Sequence, residues 1–346
     1  MRSRREEGSH RGRAQAEFLR ERAGHRAAAE YDSRFRNWDL RAAVRRKPNR
    51  ADGLEDAEAF LPFPPELAPA ADHPLVRSRG PEAVRRVLQH SLYQYLHFTT
   101  ELELLAVIPV VAQISRNRSG LALPAAMRSD AFKILTDEAW HAQFSENMLE
   151  RLEQTSGVPR RLPGVPGFVA GLDELRERLQ PELRGVEALL FSIVSETLIS
   201  SVLGGLPHDV RLPPAVRELV RDHAEDEGRH HSYFHQVLRA LWPALTPRER
   251  RAVGPLLPGA VLAFLAPDLR AIGLALRDVG LTGEEIAQVL VEAVPHDRVV
   301  ADAAEAARSA IRYFAEAGAL DDPATREAFE ASGLLGPAAG PTATLV

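Results

Sequence analysis

The stretches Asp137-Glu138-Ala139-Trp140-His141 and Asp226-Glu227-Gly228-Arg229-His230 repeat one pattern, Asp-Glu-x-x-His, 89 positions apart. In a helix, residues three apart share a face, so each copy can aim a carboxylate and an imidazole at a single point. The surroundings read as helix in both cases. Around the first copy, apolar residues recur at threes and fours from Leu123-Pro124 to about Gln154, with a Gly- and Pro-rich loop at 157–167 beyond. Around the second they run from Pro213-Pro214 to Leu241, ahead of Pro243 and Pro247.

Each of these helices is preceded by another that carries an acidic residue among apolar ones. The first is expected from Pro81 to about Gln113, ending near Asn117 to Gly120, and contains Glu101 and Glu103. The third spans roughly Leu183 to Leu203 and contains Glu196 in the run Phe191-Ser192-Ile193-Val194-Ser195-Glu196-Thr197-Leu198-Ile199. A lone carboxylate in so apolar a helix is expensive to bury, and a cation is the economical partner. Shorter amphipathic helices are expected at Leu257–Leu276, Gly283–Ala293, Arg298–Ala317 and Pro323–Ala331, and no segment alternates like a strand. The expectation is an all-α protein built on a four-helix bundle with additional C-terminal helices.

Chance does not account for the doubled motif. With 31 Glu and 12 His in 346 positions, about one Glu-x-x-His is expected at random, and an accidental one stands at Glu7–His10 without a partner helix. Requiring Asp before Glu lowers the expectation to roughly 0.05, so two copies are improbable. A Glu from each of two helices plus Glu-x-x-His from each of the other two is the ligand plan of ferritin-like di-iron carboxylate bundles. Glu138, His141, Glu196, Glu227 and His230 supply it, together with Glu103 or Glu101. Asp137 and Asp226 face away from their neighbours, and each can accept the second ring N–H of the histidine on the opposite helix.

Composition narrows the remaining choices. Cysteine is absent, which excludes disulfides, thiolate catalysis and Cys-ligated clusters. A site of carboxylates and imidazoles suits iron, with manganese the alternative, better than zinc. The net charge of -5 argues against a nucleic-acid partner. The most apolar internal stretch, 189–206, is too interrupted by polar residues to span a bilayer, so a cytoplasmic protein without a membrane partner is expected. Residues 1–50 hold 14 Arg and a Lys against seven acidic residues and are expected to form a loosely ordered arm. Residues 51–335 form the single domain and 336–346 a flexible tail.

These residues resemble the non-haem di-iron N-oxygenases typified by p-aminobenzoate N-oxygenase, over about His73 to Gly318. The family signature is Glu, some thirty residues, then Asp-Glu-x-x-His, twice. Here 33 residues separate Glu103 from Asp137 and 29 separate Glu196 from Asp226. The family has a Tyr eight residues before its first Glu and a Pro six after, matched by Tyr95 and Pro109, which selects Glu103 over Glu101. It also carries a further histidine four residues before the last Glu, matched by His223, which becomes a seventh ligand.

The resemblance implies two iron ions, O₂ as co-substrate, an external electron donor such as a reductase, and a homodimer. The implied chemistry passes through a peroxo-bridged di-ferric species and oxidises an amine, an arylamine in the family, toward hydroxylamine, nitroso and nitro products. A di-iron enzyme that oxidises carbon is the alternative; iron storage or sensing fits less well, given the long C-terminal addition. Where the p-aminobenzoate enzymes place a pocket Arg three residues beyond the Tyr, this chain has Phe98. Arg298 is then the candidate partner for a substrate carboxylate, with Tyr95 and Phe98 in the pocket.

Overall fold

Helix α1, Pro81–Ser115, opens where Gly80 takes a φ of 98° and Pro81 supplies a fixed first-turn φ. It winds regularly to Leu102 and then widens into a π-helical segment, Glu103–Val107. There the Ile108 N–H donates to the Glu103 carbonyl, five residues back. Pro109 explains the widening, because its ring would crowd the carbonyl four residues earlier and it has no N–H to give. Regular winding resumes over Ile108–Ser115.

The computed structural model describes residues 31–54 and 59–336. Helix α2, Ala125–Ser156, ends at Gly157, left-handed at φ 65°. After α3, Gly167–Arg178, the almost wholly apolar α4 spans Val186–Leu203 and α5 spans Pro214–Ala244. The rods α1, α2, α4 and α5 form the four-helix bundle, with α1 against α2 and α4 against α5. Its core holds fully buried Trp242, Tyr93, Tyr233 and Phe191. No strand occurs among the described residues. The expected all-α, ferritin-like architecture is the observed one.

Seven further helices follow: α6 Pro247–Val253, α7 Leu257–Leu265, α8 Leu269–Asp278, α9 Gly283–Ala293, α10 His296–Ala306, α11 Arg308–Glu316 and α12 Pro323–Ala331. Several boundaries differ from expectation. Helix α3 forms beyond what reads as a plain Gly-Pro loop. The expected single helix Leu257–Leu276 is two, because Pro267 stops α7 and the Asp268 side chain caps α8 by accepting from the Ala271 N–H. The span Arg298–Ala317 likewise divides, at Ala307. Pro243 does not stop α5, since it sits in the last turn.

The two helical stretches long and apolar enough to cross a membrane, Pro81–Ser115 and Pro247–Asp278, are both built into this packing. The first buries Gln89, His90 and Glu103, and the second is interrupted at Pro267.

Residues 31–54 correct the expected arm. Residues 1–30 lie outside the described part, but from Tyr31 the chain lies across α2 and α5. Tyr31 and Ser33 donate to Asp130, Arg50 pairs with Asp222 at 2.8 Å, and Lys47 lies 3.1 Å from the same carboxylate. Few large apolar side chains are needed when polar anchors of this kind fix the segment. Phe35, Ala42 and Ala43 supply its buried apolar contacts.

Candidate metal centre

Glu103, Glu138, His141, Glu196, His223, Glu227 and His230 meet in the middle of the bundle, each no more than 1% exposed. The π segment begins at Glu103, and Glu101 is only half-buried. On α2, His141 Nδ1 lies 2.7 Å from Glu138 Oε2 and 3.4 Å from Glu227 Oε1. On α5, His230 Nδ1 lies 2.8 Å from Glu138 Oε1, 3.3 Å from Glu227 Oε1 and 3.7 Å from Glu196 Oε2. His223 Nε2 is 3.1 Å from Glu227 and 3.9 Å from Glu103, and its ring centroid is 4.2 Å from that of His141.

The donor atoms fall into overlapping groups, each within 4.8 Å: Glu138, His141, Glu227 and His230; Glu103, His141 and His223; Glu103, Glu138 and Glu196. The cluster can therefore hold metal. Its electrostatics say the same. Burial first, then Glu138, Glu196 and Glu227, push Glu103 well above the carboxylate range, and burial with Glu227 and Glu138 does so for Glu196. Burial opposes charge on His141, yet Glu138, Asp226 and Glu227 outweigh it and push the imidazole up to about 10. Oxygens of Glu103, Glu138, Glu196 and both of Glu227 have no hydrogen-bond partner, nor do both nitrogens of His223 and Nδ1 of His230. So many buried, unpaired acceptors fit cations rather than a folding role. The four glutamates would balance two divalent ions with the imidazoles neutral.

Behind the cluster the two motifs are cross-wired. His141 Nε2 lies 3.2 Å from Asp226 of α5, and His230 Nε2 lies 3.2 Å from Asp137 of α2. Each histidine thus faces the glutamates with Nδ1 and an aspartate with Nε2. The segment 31–54 adds a further layer. Trp38 Nε1–H donates to both Asp137 oxygens at 2.8 Å, the Ala43 N–H donates to Asp226 at 3.1 Å, and Phe35 stacks on His230.

A cavity of about 730 Å³ opens between α1, α3, α7, α8 and α10. Phe63, Phe98, Phe168 and Phe264 make its aromatic wall, and Arg298 stands at its exposed lip, 3.6 Å from Asp302. Phe98 packs edge-on to Phe168, with centroids 5.6 Å apart. None of the seven clustered residues lines the cavity; Tyr95 lies between. Its hydroxyl is buried without a partner, and burial followed by the charge of Glu227 holds its pKa far above the ordinary tyrosine value. His97, also a lining residue, has an unpartnered buried Nε2.

Residues 37–318 match the family model described as p-aminobenzoate N-oxygenase AurF. The chain belongs to that family. It is also similar to 4-aminobenzoate N-oxygenase of Streptomyces thioluteus, 29% identical over 293 residues, covering 83% of this chain and 85% of the relative. The AurF-family match begins at residue 37, well before His73, so it takes in the segment that carries Trp38 and Ala43.

Sequence reasoning did not find Trp38, Phe35 or Ala43 as neighbours of the site. Trp38 stands 99 residues from Asp137 in an Arg-rich segment, and a lone Trp there was the available signal. Phe168 and Phe264 were missed because α3 was not expected and α7 offers only an apolar run.

Proposed function

We propose that the protein is an arylamine N-oxygenase whose two iron ions are held by Glu103, Glu138, His141, Glu196, His223, Glu227 and His230. The observation that carries this reading is the fully buried cluster of unpaired glutamate oxygens and histidine nitrogens in a chain of the AurF family. Bound iron supplies O₂ activation, which no side chain here can perform. The first oxidation balances as amine, O₂, two electrons and two protons giving hydroxylamine and water, so an external donor is needed. Manganese in place of iron would leave the protein's own contribution unchanged.

That contribution is orientation and exclusion. Asp137 and Asp226 accept the Nε2 protons of His230 and His141, which leaves each Nδ1 lone pair aimed at the cluster and raises its basicity. Burial keeps bulk water from the centre. Tyr95 stays protonated and is a fixed hydroxyl donor between cavity and cluster. The aromatic wall fits the ring of an arylamine. An anionic substituent on that ring has Arg298 for its partner, at the lip.

The test is to load the protein with iron, reduce it, and expose it to O₂ with a panel of arylamines, following products by mass. Hydroxylamine, nitroso or nitro products are expected, with close to two iron ions per chain. No N-oxidised product from fully loaded protein, or iron accumulating far beyond two per chain, would sink the reading.

A further inference from the structure

The two cross-wired histidines end differently. The path from His141 stops at a backbone amide: Asp226 accepts from the Ala43 N–H and from the Arg229 guanidinium. The path from His230 runs through Asp137 to the indole of Trp38, a half-buried ring that reaches the outer face of the segment. Only one of the two therefore connects the buried centre to a π system at the surface. Such a chain of two hydrogen bonds offers electronic coupling that a backbone terminus does not.

The surface around Trp38 is basic, although the whole chain carries -5. Beside it, Arg34, Asn37, Arg41, Gly228, Arg229 and Ser232 enclose a depression of about 450 Å³. Arg34 and Arg41 are exposed and have no carboxylate partner among the described residues. Arg45 sits over the Trp38 ring, 5.8 Å from its centroid, with Asp39 only at 3.9 Å. The nearby acids are engaged: Asp32 with Arg36 at 2.5 Å and Glu225 with Lys47 at 3.0 Å. A Cβ at Gly228 would meet nothing within 4 Å, so the floor is open. This depression shares no residue with the substrate cavity.

We propose that this arginine face docks an acidic one-electron carrier protein, and that Trp38, Asp137 and His230 conduct its electrons to the metal pair. The inference rests on the N-oxygenase reading, whose first step consumes two electrons. Two successive carriers each lose one electron, and two ferric ions become ferrous. Charge complementarity selects the partner's sign and speeds encounter. Substrate and carrier use different walls, so both can be bound at once.

The experiment uses the full chain and a reduced acidic [2Fe–2S] ferredoxin as probe, with dithionite as a small reductant that needs no docking. Ferredoxin binding is measured on the metal-free chain as well, and anaerobic stopped-flow follows bleaching of the ferric centre. The Arg34→Glu/Arg41→Glu double variant should weaken ferredoxin binding about tenfold or more, as should raised salt on the unaltered protein. Trp38→Phe should bind ferredoxin as tightly as the unaltered protein, while its ratio of ferredoxin-driven to dithionite-driven rate falls severalfold. No ferredoxin binding to the unaltered chain, unchanged affinity in the double variant, or an unchanged rate ratio in Trp38→Phe would each overturn the proposal. If dithionite-reduced protein N-oxygenates arylamines while the ferredoxin arms fail, the docking face falls and the function stands. If the ferredoxin arms succeed and no amine is oxidised, the function falls and the electron path stands.

Discussion

Asp137 and Asp226 show how a residue off the ligand face can still govern the site. Neither carboxylate can reach the cluster from its own helix, yet each meets the histidine of the other. Asp137→Asn keeps the shape and removes the charge behind His230. Metal affinity should fall about 10- to 100-fold, read by chelator competition, and an unchanged affinity would remove Asp137 from the site. Glu196→Ala and His223→Ala take away donors outright, and each should leave less than the full complement of iron by elemental analysis. At this scale the sequence was highly legible. Helical spacing alone places Glu138 with His141 and Glu227 with His230, and the apolar run around Glu196 marks a carboxylate in need of a cation. Trp38 was not legible, because a contact between residues 38 and 137 leaves no periodic trace in either segment.

Among the elements, the widened turn at Glu103–Val107 and the close approach of α3 to α7 do most to shape the site's surroundings. Helix α3 touches α7 at Gly171, where an added Cβ would stand 2.6 Å from the Ala263 Cβ. Ala263 and Phe264 both line the cavity, so this contact sets its aromatic wall. Gly171→Ala should destabilise the protein by about 1–3 kcal/mol through overpacking, seen as a lower Tm. Retained Tm would mean the two helices can part without cost. The four long rods follow from their 3.6-residue periodicity, and Pro and Gly give their ends to within a few residues. Helix α3 escaped because Gly167, Gly171 and the neighbouring prolines read as loop, and only packing against α7 makes glycine an advantage there.

For the molecule as a whole, Asp278 joins parts that the bundle alone does not. It accepts from Arg86 and lies 3.0 Å from His90, both on α1, and it pairs with Arg161 of the loop before α3. Burial would raise the carboxyl, but hydrogen bonds to His90 and Arg161 and the charge of Arg86 outweigh it and hold Asp278 below the ordinary carboxylate range. A depressed folded pKa contributes stability above the unfolded value of 3.8, lost as pH falls through the folded one. Asp278→Asn should therefore cost about 1–2 kcal/mol at pH 7, with the gap narrowing as pH approaches 3.8. Urea unfolding across that range measures it, and a gap independent of pH would show that the carboxylate's charge is not the cause.

The widened turn in α1 also has a genetic meaning. It holds one residue more than regular winding needs, so losing a single codon between 103 and 107 would leave a shorter, smoother helix. The two halves of that helix would then be turned by about 100° relative to each other. Tyr95 and His97 lie before the turn and Val110 to Ser115 after it, so the side chains facing the cavity and those facing α2 could not both keep their places. A deletion that looks harmless in the reading frame would misalign the cavity with the glutamates.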